Sequence, residues 1–356
     1  MKISGKQYRS VWMEDGIIFM IDQILIPHEF KIIELHDVNE VYRSIKNMNT
    51  RGAPSIGATA AYGVAQAVIK HNFATIHNLG AYLDLVCAKI ESSRPTARDL
   101  FHAVDYMDKG LRLAKSVEEA KKLAVKLSNN YADISVDACK KIGEFGNKIL
   151  IDGAKVLTHC NAGALATVDF GTALAPVRIA HEKGKDIFVF VDETRPRSQG
   201  SRITAFELKE EGIPYSIIAD NAAGHFMLNG EINVVIVGTD RVARNGDVVN
   251  KIGTYEKAVV AYENNIPFYV TAPLSTIDID TRTGQDIKIE ERDQEEVLYS
   301  YGLLDNGNFG RVRVSPEGGI ARNPAFDVTP AKYITGLITE KGIIKPTEKE
   351  ILRIKS

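Results

Sequence analysis

Polar residues follow several apolar runs in the C-terminal half of the chain, and their types offer acid, base and nucleophilic chemistry. The residues that end these runs are Cys160 after KVLTH, Asp192 after IFVFV, Asp220 after YSIIA and Asp240 after VVIVGT. If the runs are parallel strands, these residues meet at one edge of a sheet, outside the carboxyl ends where open α/β sheets bind ligands. A thiol and carboxylates at one edge predict a cleft suited to acid–base or covalent catalysis.

Each of these residues also has an ordinary structural interpretation. An aspartate after a strand often caps the next helix, and we expect Asp192 and Asp220 to do so. A buried inert cysteine is common, but Cys160 precedes the small residues NAGALAT, which are typical of a turn that opens a helix. The free N–H groups of a helix N-terminus would favour its thiolate. A functional role is therefore favoured for Cys160, whereas Cys87 and Cys139 lie in apolar helical segments and are predicted to pack.

Loops that carry a cationic or amide side chain, most of them with glycine, precede several predicted helices. These loops contain Arg51-Gly52-Ala53 in RGAPSIG before ATAAYGVA, Arg94 before Pro95-Thr96, Gln199 among Arg195, Arg197 and Arg202, and Asn250-Lys251 before Gly253. Guanidinium groups and backbone N–H groups at helix starts suit a phosphate, so the loops predict a phosphorylated ligand. The chain contains neither a Walker P-loop nor a GxGxxG motif, and ATP and nicotinamide cofactors are therefore not supported.

Metal ligation has little support in the sequence. The eight histidines are scattered, and the chain has no HxxxH or CxxC pair. His159 would point to the opposite face of a strand from Cys160, which makes it a poor general base. His225 could lie near the cleft, although a surface or core role suits it better.

The elements that must position these residues change in character along the chain. The first 35 residues contain short apolar pieces separated by turn residues, and residues 38–150 carry apolar residues at helical spacing. After residue 150, β-branched runs alternate with helix-like stretches of about 10–15 residues, the pattern of a parallel sheet covered on both faces. We predict an α/β fold in which residues 1–148 form a small β element plus a helical bundle. Residues 149–356 are predicted to form a doubly wound, Rossmann-like domain that carries most of the catalytic site, with the polar segment 278–296 as an exposed loop.

Length and composition describe a globular protein and exclude several classes. At roughly 150 residues per domain, 356 residues suggest two domains. Lys+Arg is 44 against Asp+Glu 46, so the basic excess of nucleic-acid-binding proteins is missing. No run approaches the roughly 18 apolar residues of a membrane span, and the N-terminus lacks a secretory signal. Three cysteines do not make a disulfide framework. We therefore expect a soluble, cytoplasmic protein without nucleic-acid or membrane partners.

Long ordered motifs identify a family resemblance. The motifs are RGAPSIG (51–57), SSRPTA (92–97), LTHCNAGALAT (157–167), VDETRPRSQGSRITAFEL (191–208), VGTDRVARNGDVVNKIGTY (237–255), FYVTAPLSTID (268–278) and NPAFDVTPAKYITGLITEKGII (323–344). Together they resemble the methylthioribose-1-phosphate isomerases of methionine salvage, from WMEDG at residues 12–16 to the C-terminal helix. The wider superfamily also holds ribose-1,5-bisphosphate isomerases and regulatory subunits of the exchange factor for eukaryotic translation initiation.

The resemblance implies conversion of 5-methylthioribose 1-phosphate to 5-methylthioribulose 1-phosphate by a homodimer, without cofactor or metal. It implies that Cys160 and Asp240 flank the sugar as catalytic residues. The substrate contacts that it implies are Arg51, Gly52, Ala53, Arg94, Gln199, Asn250 and Lys251. Since Arg51 and Arg94 come from the helical half and Lys251 from the α/β half, we expect an interdomain site.

The substrate poses a specific chemical problem, because phosphate esterifies its anomeric oxygen. The ring must open with the phosphate retained, aided by an acid at the ring oxygen, and we assign Asp240 to this role. A carboxyl group with a reference pKa of about 3.9 needs burial to act as an acid near neutrality, which predicts an apolar, water-poor pocket around Asp240. Cys160 either removes or relays the C2 proton, or stabilises a charged intermediate while hydride shifts directly. The sequence leaves both routes open.

Other functions within the superfamily remain as alternatives. Ribose 1,5-bisphosphate would need a second cationic pocket where a thiomethyl group prefers apolar walls, and 5-deoxyribose 1-phosphate is a further candidate substrate. A non-catalytic regulatory subunit would need no thiol–carboxylate pair. The presence of both Cys160 and Asp240 weighs against that last role.

Overall fold

The computed structural model describes residues 1–95 and 97–356, so Thr96 of the predicted phosphate loop lies outside the described residues. Contacts divide the described chain into two compact units, Met1–Lys140 with Ala162–Gly171 and Lys141–Asn161 with Thr172–Ser356. The boundary predicted between residues 148 and 149 stays a prediction, because compactness does not show which segment folds independently. Within the described residues, no helix is both long and apolar enough to cross a membrane.

The first unit contains the predicted short strands followed by helices. Its strands are β1 (Lys2–Ile3), β2 (Lys6–Gln7), β3 (Val11–Glu14), β4 (Ile17–Ile21) and β5 (Ile32–Leu35). Its helices are α1 (Val38–Lys46), α2 (Ala53–Lys70), α3 (Leu79–Glu91), α4 (Arg98–Leu111) and the greater part of α5 (Val117–Asn147). Strands β3, β4 and β5 form an antiparallel sheet.

Helix α2 forms the centre of this unit because its small side chains let neighbouring elements approach closely. Residues 55–68 of the helix are buried. A Cβ atom at Gly63 would lie 2.8 Å from the Val41 side chain, and one at Gly57 would lie 2.9 Å from the Asp99 carboxylate. Close packing of this kind makes volume changes in α2 costly.

The second unit is built on a mainly parallel sheet. Its strands are β6 (Ala154–Thr158), β7 (Ile187–Asp192), β8 (Tyr215–Ile218), β9 (Val234–Val237), β10 (Arg241–Ala243), β11 (Val248–Lys251), β12 (Phe268–Thr271), β13 (Ile277–Asp278), β14 (Tyr299–Leu303), β15 (Phe309–Arg313), β16 (Phe326–Thr329), β17 (Gly336–Thr339) and β18 (Gly342–Ile344). Its helices after α5 are α6 (Leu174–Glu182), α7 (Ala205–Glu210), α8 (Ala223–Leu228), α9 (Thr254–Glu263), α10 (Glu295–Leu298) and α11 (Glu348–Lys355).

The main sheet has the order β18-β17-β12-β9-β6-β7-β8, and only the edge strand β18 is antiparallel to its neighbour among the described strands. Strand β9 is buried along its whole length, as its apolar run VVIV requires in a sheet covered on both faces. The reversal of strand order on either side of β6 is the topological switch of a doubly wound sheet. The predicted α/β class is confirmed.

The second unit also contains a smaller, four-stranded sheet, which was not predicted. Its order is β13-β10-β11-β16, with β10, β11 and β16 antiparallel to one another and β13 parallel to β10. The prediction of an exposed loop at residues 278–296 is partly wrong. Asp278 is buried at the end of β13, and Glu296 lies in α10, where it bonds Arg292 at 2.6 Å.

Candidate active site

Cys160 and Asp240 follow two adjacent parallel strands of the main sheet. Strands β6 and β9 pair in register at Leu157 and Val235. Cys160 lies shortly after the end of β6 and Asp240 shortly after the end of β9, and both residues are half-buried. Because the carboxyl ends of parallel strands meet at one edge, the topology brings the two sequence-predicted catalytic residues to the same edge of the sheet.

The backbone of Cys160 adopts a left-handed conformation that its neighbours hold in place. Its φ angle is +67°, which is uncommon for a residue with a side chain. Its N–H donates to Thr194 Oγ1 at 2.8 Å, and its carbonyl accepts from Thr204 Oγ1 at 2.7 Å. A non-glycine residue in this region persists where surrounding contacts fix it, and such residues are frequent in functional sites.

The expectation that a helix opens directly after Cys160 is wrong. The chain forms one 3₁₀ turn at Ala164–Ala166, and the next helix, α6, begins only at Leu174. Favourable charge at Cys160 therefore cannot be assigned to a helix N-terminus. The small residues of this segment serve tight turns instead, including one at Gly171, whose φ is +79°.

The loop after β7 is fixed by Asp220, which does not cap the next α-helix as predicted. The N–H groups of Thr194 and Arg195 donate to the two oxygens of its carboxylate, each at 2.7 Å. Thr194, with φ +63°, then accepts the N–H of Cys160. Asp220 therefore orders the loop that leads to Gln199 and, through Thr194, the backbone of Cys160.

Gln199 is brought to the edge of the sheet by a close crossing of the chain. A Cβ atom at Gly200 would lie 1.6 Å from the Asp192 carbonyl oxygen, so only glycine fits there. The Gln199 side chain is buried, and its Oε1 has no hydrogen-bond partner among the described residues. A buried amide oxygen without a partner is costly, and it suits a ligand that donates a hydroxyl hydrogen.

Asp192 also fails to cap a helix, because its carboxylate lies in the interior. Its Oδ2 is 2.9 Å from His159 Nδ1 and 3.8 Å from Lys257 Nζ, and all three side chains are almost fully buried. Burial raises the pKa of Asp192, while His159 and Lys257 oppose that rise. The buried contact with His159 thus accounts for Asp192 at the end of β7, and we assign Asp192 no direct role in the chemistry.

Asp240, Asn250 and Lys251 come from one hairpin. The Asp240 N–H donates to the Val249 carbonyl at 2.9 Å, which fixes the start of β10 against β11. Asn250 Nδ2 donates to Thr254 Oγ1 at 3.0 Å, and Lys251 Nζ donates to the Ala325 carbonyl at 2.8 Å. The sequence-predicted acid thus shares a supersecondary unit with two of the predicted phosphate contacts. The apolar pocket expected around Asp240 stays a prediction.

The remaining predicted substrate contacts belong to the first unit. Gly52, with φ +88°, directly precedes Ala53 at the start of α2, and a Cβ atom there would lie 2.1 Å from the Ala166 carbonyl. Arg51 and Arg94 are half-buried, and Arg94 lies between α3 and α4. The predicted helix is present, but it begins at Ala53, within RGAPSIG and not after that motif, and the roles of these residues in binding stay predictions.

His159, Asp192 and Asp220 place ligand-type atoms within 4.8 Å of one another. The ring nitrogens of His159 already face Asp192 Oδ2 and the Ile252 carbonyl, and Asp220 already accepts two backbone N–H groups. Lys257 would add a positive charge next to any cation bound here. We therefore assign these residues to holding the loops.

Residues 49–346 match the model of the Initiation factor 2 subunit family. The chain therefore belongs to this family. The methylthioribose-1-phosphate isomerase of Acetivibrio thermocellus is 51% identical over 341 residues, which cover 95% of this chain and 97% of that protein. Within the family the chain belongs with the methylthioribose-1-phosphate isomerases, and the resemblance of the sequence motifs is confirmed.

Solved structures give the same fold. The crystal structure of 5-methylthioribose 1-phosphate isomerase from Pyrococcus horikoshii OT3 has a TM-score of 0.90 and 40% identity, covering 98% of this chain and 97% of that one. The structure of translation initiation factor eIF-2B, subunit delta, from A. fulgidus has a TM-score of 0.87 and 42% identity, covering 98% of this chain and 100% of that one.

Proposed function

We propose that this chain is an aldose–ketose isomerase that converts 5-methylthioribose 1-phosphate to 5-methylthioribulose 1-phosphate in methionine salvage. The observation that carries the proposal is the placement of Cys160 and Asp240 just after the ends of two adjacent parallel strands. Full-length relatives named methylthioribose-1-phosphate isomerase support it.

We assign Asp240 to the opening of the ring. Its carboxyl proton passes to the ring oxygen as the bond from that oxygen to C1 breaks, and the phosphate stays on its own oxygen. The cation left at C1 then receives hydrogen from C2, and the C2 hydroxyl loses its proton as the ketone forms. The Asp240 carboxylate regains a proton at the end, so the group is restored for the next turnover.

Hydrogen can move from C2 to C1 by two routes, and Cys160 has a different role in each. In the proton route, Cys160 removes or relays the C2 proton, an enol phosphate forms, and C1 is then protonated. In the hydride route, hydrogen moves from C2 to C1 with its electron pair while the sulfur stabilises the charged species. Atoms and electrons balance in both routes without an added oxidant or reductant.

The substrate contacts follow from chemistry that suits a phosphorylated sugar. We assign Arg51, Gly52, Ala53, Arg94, Gln199, Asn250 and Lys251 to binding. Guanidinium, ammonium and backbone N–H groups suit the phosphate oxygens, and the amides of Gln199 and Asn250 suit sugar hydroxyls. The loss of such contacts weakens substrate binding first, and turnover falls where orientation is disturbed.

A non-catalytic role as a translation-factor subunit is the second candidate, because a structural relative at 42% identity carries the name of such a subunit. That role would leave Cys160 and Asp240 without a task. Isomerases acting on ribose 1,5-bisphosphate or 5-deoxyribose 1-phosphate are alternatives of the same reaction class, and they differ in what faces carbon 5 of the sugar.

Phosphorus NMR of purified protein incubated separately with methylthioribose 1-phosphate and ribose 1,5-bisphosphate tests the proposal. We expect the phosphate resonance of methylthioribose 1-phosphate to be replaced by that of the ketose product, whereas ribose 1,5-bisphosphate is unchanged. Turnover of the bisphosphate alone would move the chain to the other isomerase. Turnover of neither, with recovery of a stoichiometric complex from cell extract, would support the subunit role.

Substitution of Gln199 by methionine should separate stability from binding. Methionine keeps the volume and removes the amide oxygen that has no partner among the described residues, so we expect an unfolding free energy equal to or above that of the wild type. We expect KM to rise by about 10-fold because a hydroxyl contact is lost. Denaturant unfolding and steady-state kinetics measure both quantities. An unchanged KM in the folded variant would remove Gln199 from the substrate contacts.

We also propose that the protein is a cytoplasmic homodimer, as the family resemblance implies. The odd number of cysteines, three in 356 residues, supports a reducing compartment. Light scattering of the purified protein measures the oligomeric state, and the mass expected is twice the 39.2 kDa of one chain.

A further inference from the structure

The imidazole of His159 connects two segments that the proposed function needs. The ring is almost fully buried, and its Nδ1 lies 2.9 Å from Asp192 Oδ2 at the end of β7. Its Nε2 lies 2.8 Å from the carbonyl oxygen of Ile252, directly after Lys251. The ring also lies against Gly253, where a Cβ atom would come within 3.1 Å of it. His159 directly precedes Cys160, and its ring thus links the Cys160 segment to the end of β7 and to the turn after the Asn250–Lys251 strand.

The partners of the ring fix the number of protons that it shares with Asp192. A carbonyl oxygen only accepts, so Nε2 must carry a hydrogen toward Ile252. At 2.9 Å, one further proton must lie between Nδ1 and Asp192 Oδ2, on one atom or the other. The pair therefore holds two protons and is neutral overall, and the ring has no free lone pair with which to act as a base.

Charged groups of both signs surround this pair. Lys257 Nζ lies 3.8 Å from Asp192 Oδ2 and favours its negative charge, whereas Asp220 opposes that charge. Asp327, whose carboxylate accepts the N–H groups of Gly253 and Tyr255, acts on the same buried region. Loss of the shared proton would leave a nitrogen lone pair facing a carboxylate between two almost fully buried side chains, which is costly.

The same contacts control the position of the Cys160 backbone. Its left-handed conformation begins at the peptide that follows His159, so rotation of that peptide would move both the sulfur and the N–H bonded to Thr194. On the other side, the Ile252 carbonyl belongs to the turn that sets the direction of Lys251. A bridge between the two segments fixes the distance between the thiol and the phosphate-binding strand.

We propose that His159 is a positioning residue for the isomerisation, and that the contacts of its two ring nitrogens hold Cys160 and the Asn250–Lys251 segment in register. The inference rests on the proposed function. His159 takes no part in bond making, since both ring nitrogens are occupied within the chain. It acts through the residues on either side of it, and each contact has its own kinetic consequence.

Three variants separate the two contacts. His159→Asn places an amide near Nδ1 and keeps the contact to Asp192, whereas His159→Gln places one near Nε2 and keeps the contact to Ile252. We expect His159→Asn to raise KM by about 10-fold with little change in kcat, and His159→Gln to lower kcat by about 10-fold with little change in KM. His159→Phe should lose about 10²-fold or more in kcat/KM, the loss typical of a misplacement of about 1 Å.

The matched control is His225→Gln, a substitution at an exposed histidine whose ring contacts Asn229, and it should leave both constants unchanged. A general loss of stability would affect all three His159 variants alike and would not split KM from kcat. Identical kinetics for the Asn and Gln variants, or wild-type constants in a folded Phe variant, would overturn the proposal.

Proton NMR of the wild-type protein tests the proton count without substrate or variant activity. We expect two slowly exchanging downfield protons from the His159 ring environment at pH 8, one toward Asp192 and one toward Ile252, both missing in His159→Phe. Finding only the proton toward Ile252 would contradict the neutral pair. If the wild type turns over no methylthioribose 1-phosphate, the proposed function fails, while these resonances still report on the bridge.

Discussion

Replacement of Cys160 by serine is expected to lower kcat by about 10²- to 10⁴-fold, the range of a positioned acid, base or nucleophile. Serine keeps the size and the backbone contacts to Thr194 and Thr204, which involve only main-chain atoms of residue 160. Stability should therefore change little, and the loss should appear in kcat measured by steady-state kinetics.

Cys139 and Cys87 provide the matched controls. Both thiols lie in buried helical positions, and burial raises the pKa of the Cys87 thiol to about 12, so it stays protonated and unreactive. Cys139→Ala and Cys87→Ala are expected to cost stability while kcat stays within about threefold of the wild type. A Cys160→Ser variant that turned over as fast as these controls would remove the thiol from the mechanism.

Solvent deuterium distinguishes the two roles that are open to Cys160. Deuterium at C1 of the product indicates the proton route, because the proton removed from C2 exchanges before C1 is protonated. Full retention of the substrate hydrogen indicates a hydride shift, with sulfur acting only on the charged species. Both proposed routes require Cys160 to contact the reacting sugar, so the isotope result decides between its two roles and the mutation measures how much the thiol contributes.

The second large effect is expected for Asp240→Asn, which should lower kcat by about 10²- to 10⁴-fold because asparagine cannot donate the proton for ring opening. The substitution keeps the shape of the side chain and the backbone bond from residue 240 to the Val249 carbonyl. We therefore expect substrate affinity, measured by calorimetry, to fall much less than turnover does.

Asp305→Asn is the control for loss of one carboxylate, since Asp305 is exposed in the turn between β14 and β15. It should leave kcat and KM unchanged. Near-wild-type turnover by Asp240→Asn would assign ring opening to another acid.

The sequence predicted the main sheet well because the physical signal is strong. Each buried parallel strand must be apolar on both faces, so β6, β7, β9 and β12 stand out in the sequence as short, mostly apolar runs. The same logic placed Cys160 and Asp240 at one edge of the sheet. Helix α2 was readable from the glycine at its start and its dense small residues.

The smaller sheet could not be predicted in the same way. Strands β10, β11 and β13 have two to four residues, too few for alternation to stand out, and their pairing depends on residues distant in sequence. The roles of Asp192 and Asp220 were wrong for a related reason. Capping is a local interaction, whereas their real partners, His159 and the N–H groups of Thr194 and Arg195, are brought near only by the parallel strand order.

The prediction of a helix directly after Cys160 was wrong for a local reason. Glycine and alanine in NAGALAT suit a helix start, but they equally permit the tight turns and close approaches seen between Gly163 and Gly171. No side chain in that segment marks the difference, so composition alone could not decide between a helix and turns. Thr194 and Thr204, which fix the Cys160 backbone, carry no sequence signal beyond their place in long motifs.

The most direct test is a crystal structure of the Asp240→Asn variant with methylthioribose 1-phosphate bound. A thiol and an acid working on one sugar require Cys160 Sγ near C1 and C2 and the residue 240 side chain within hydrogen-bonding distance of the ring oxygen. A sugar bound elsewhere, or one touched by only one of these two side chains, would contradict the account.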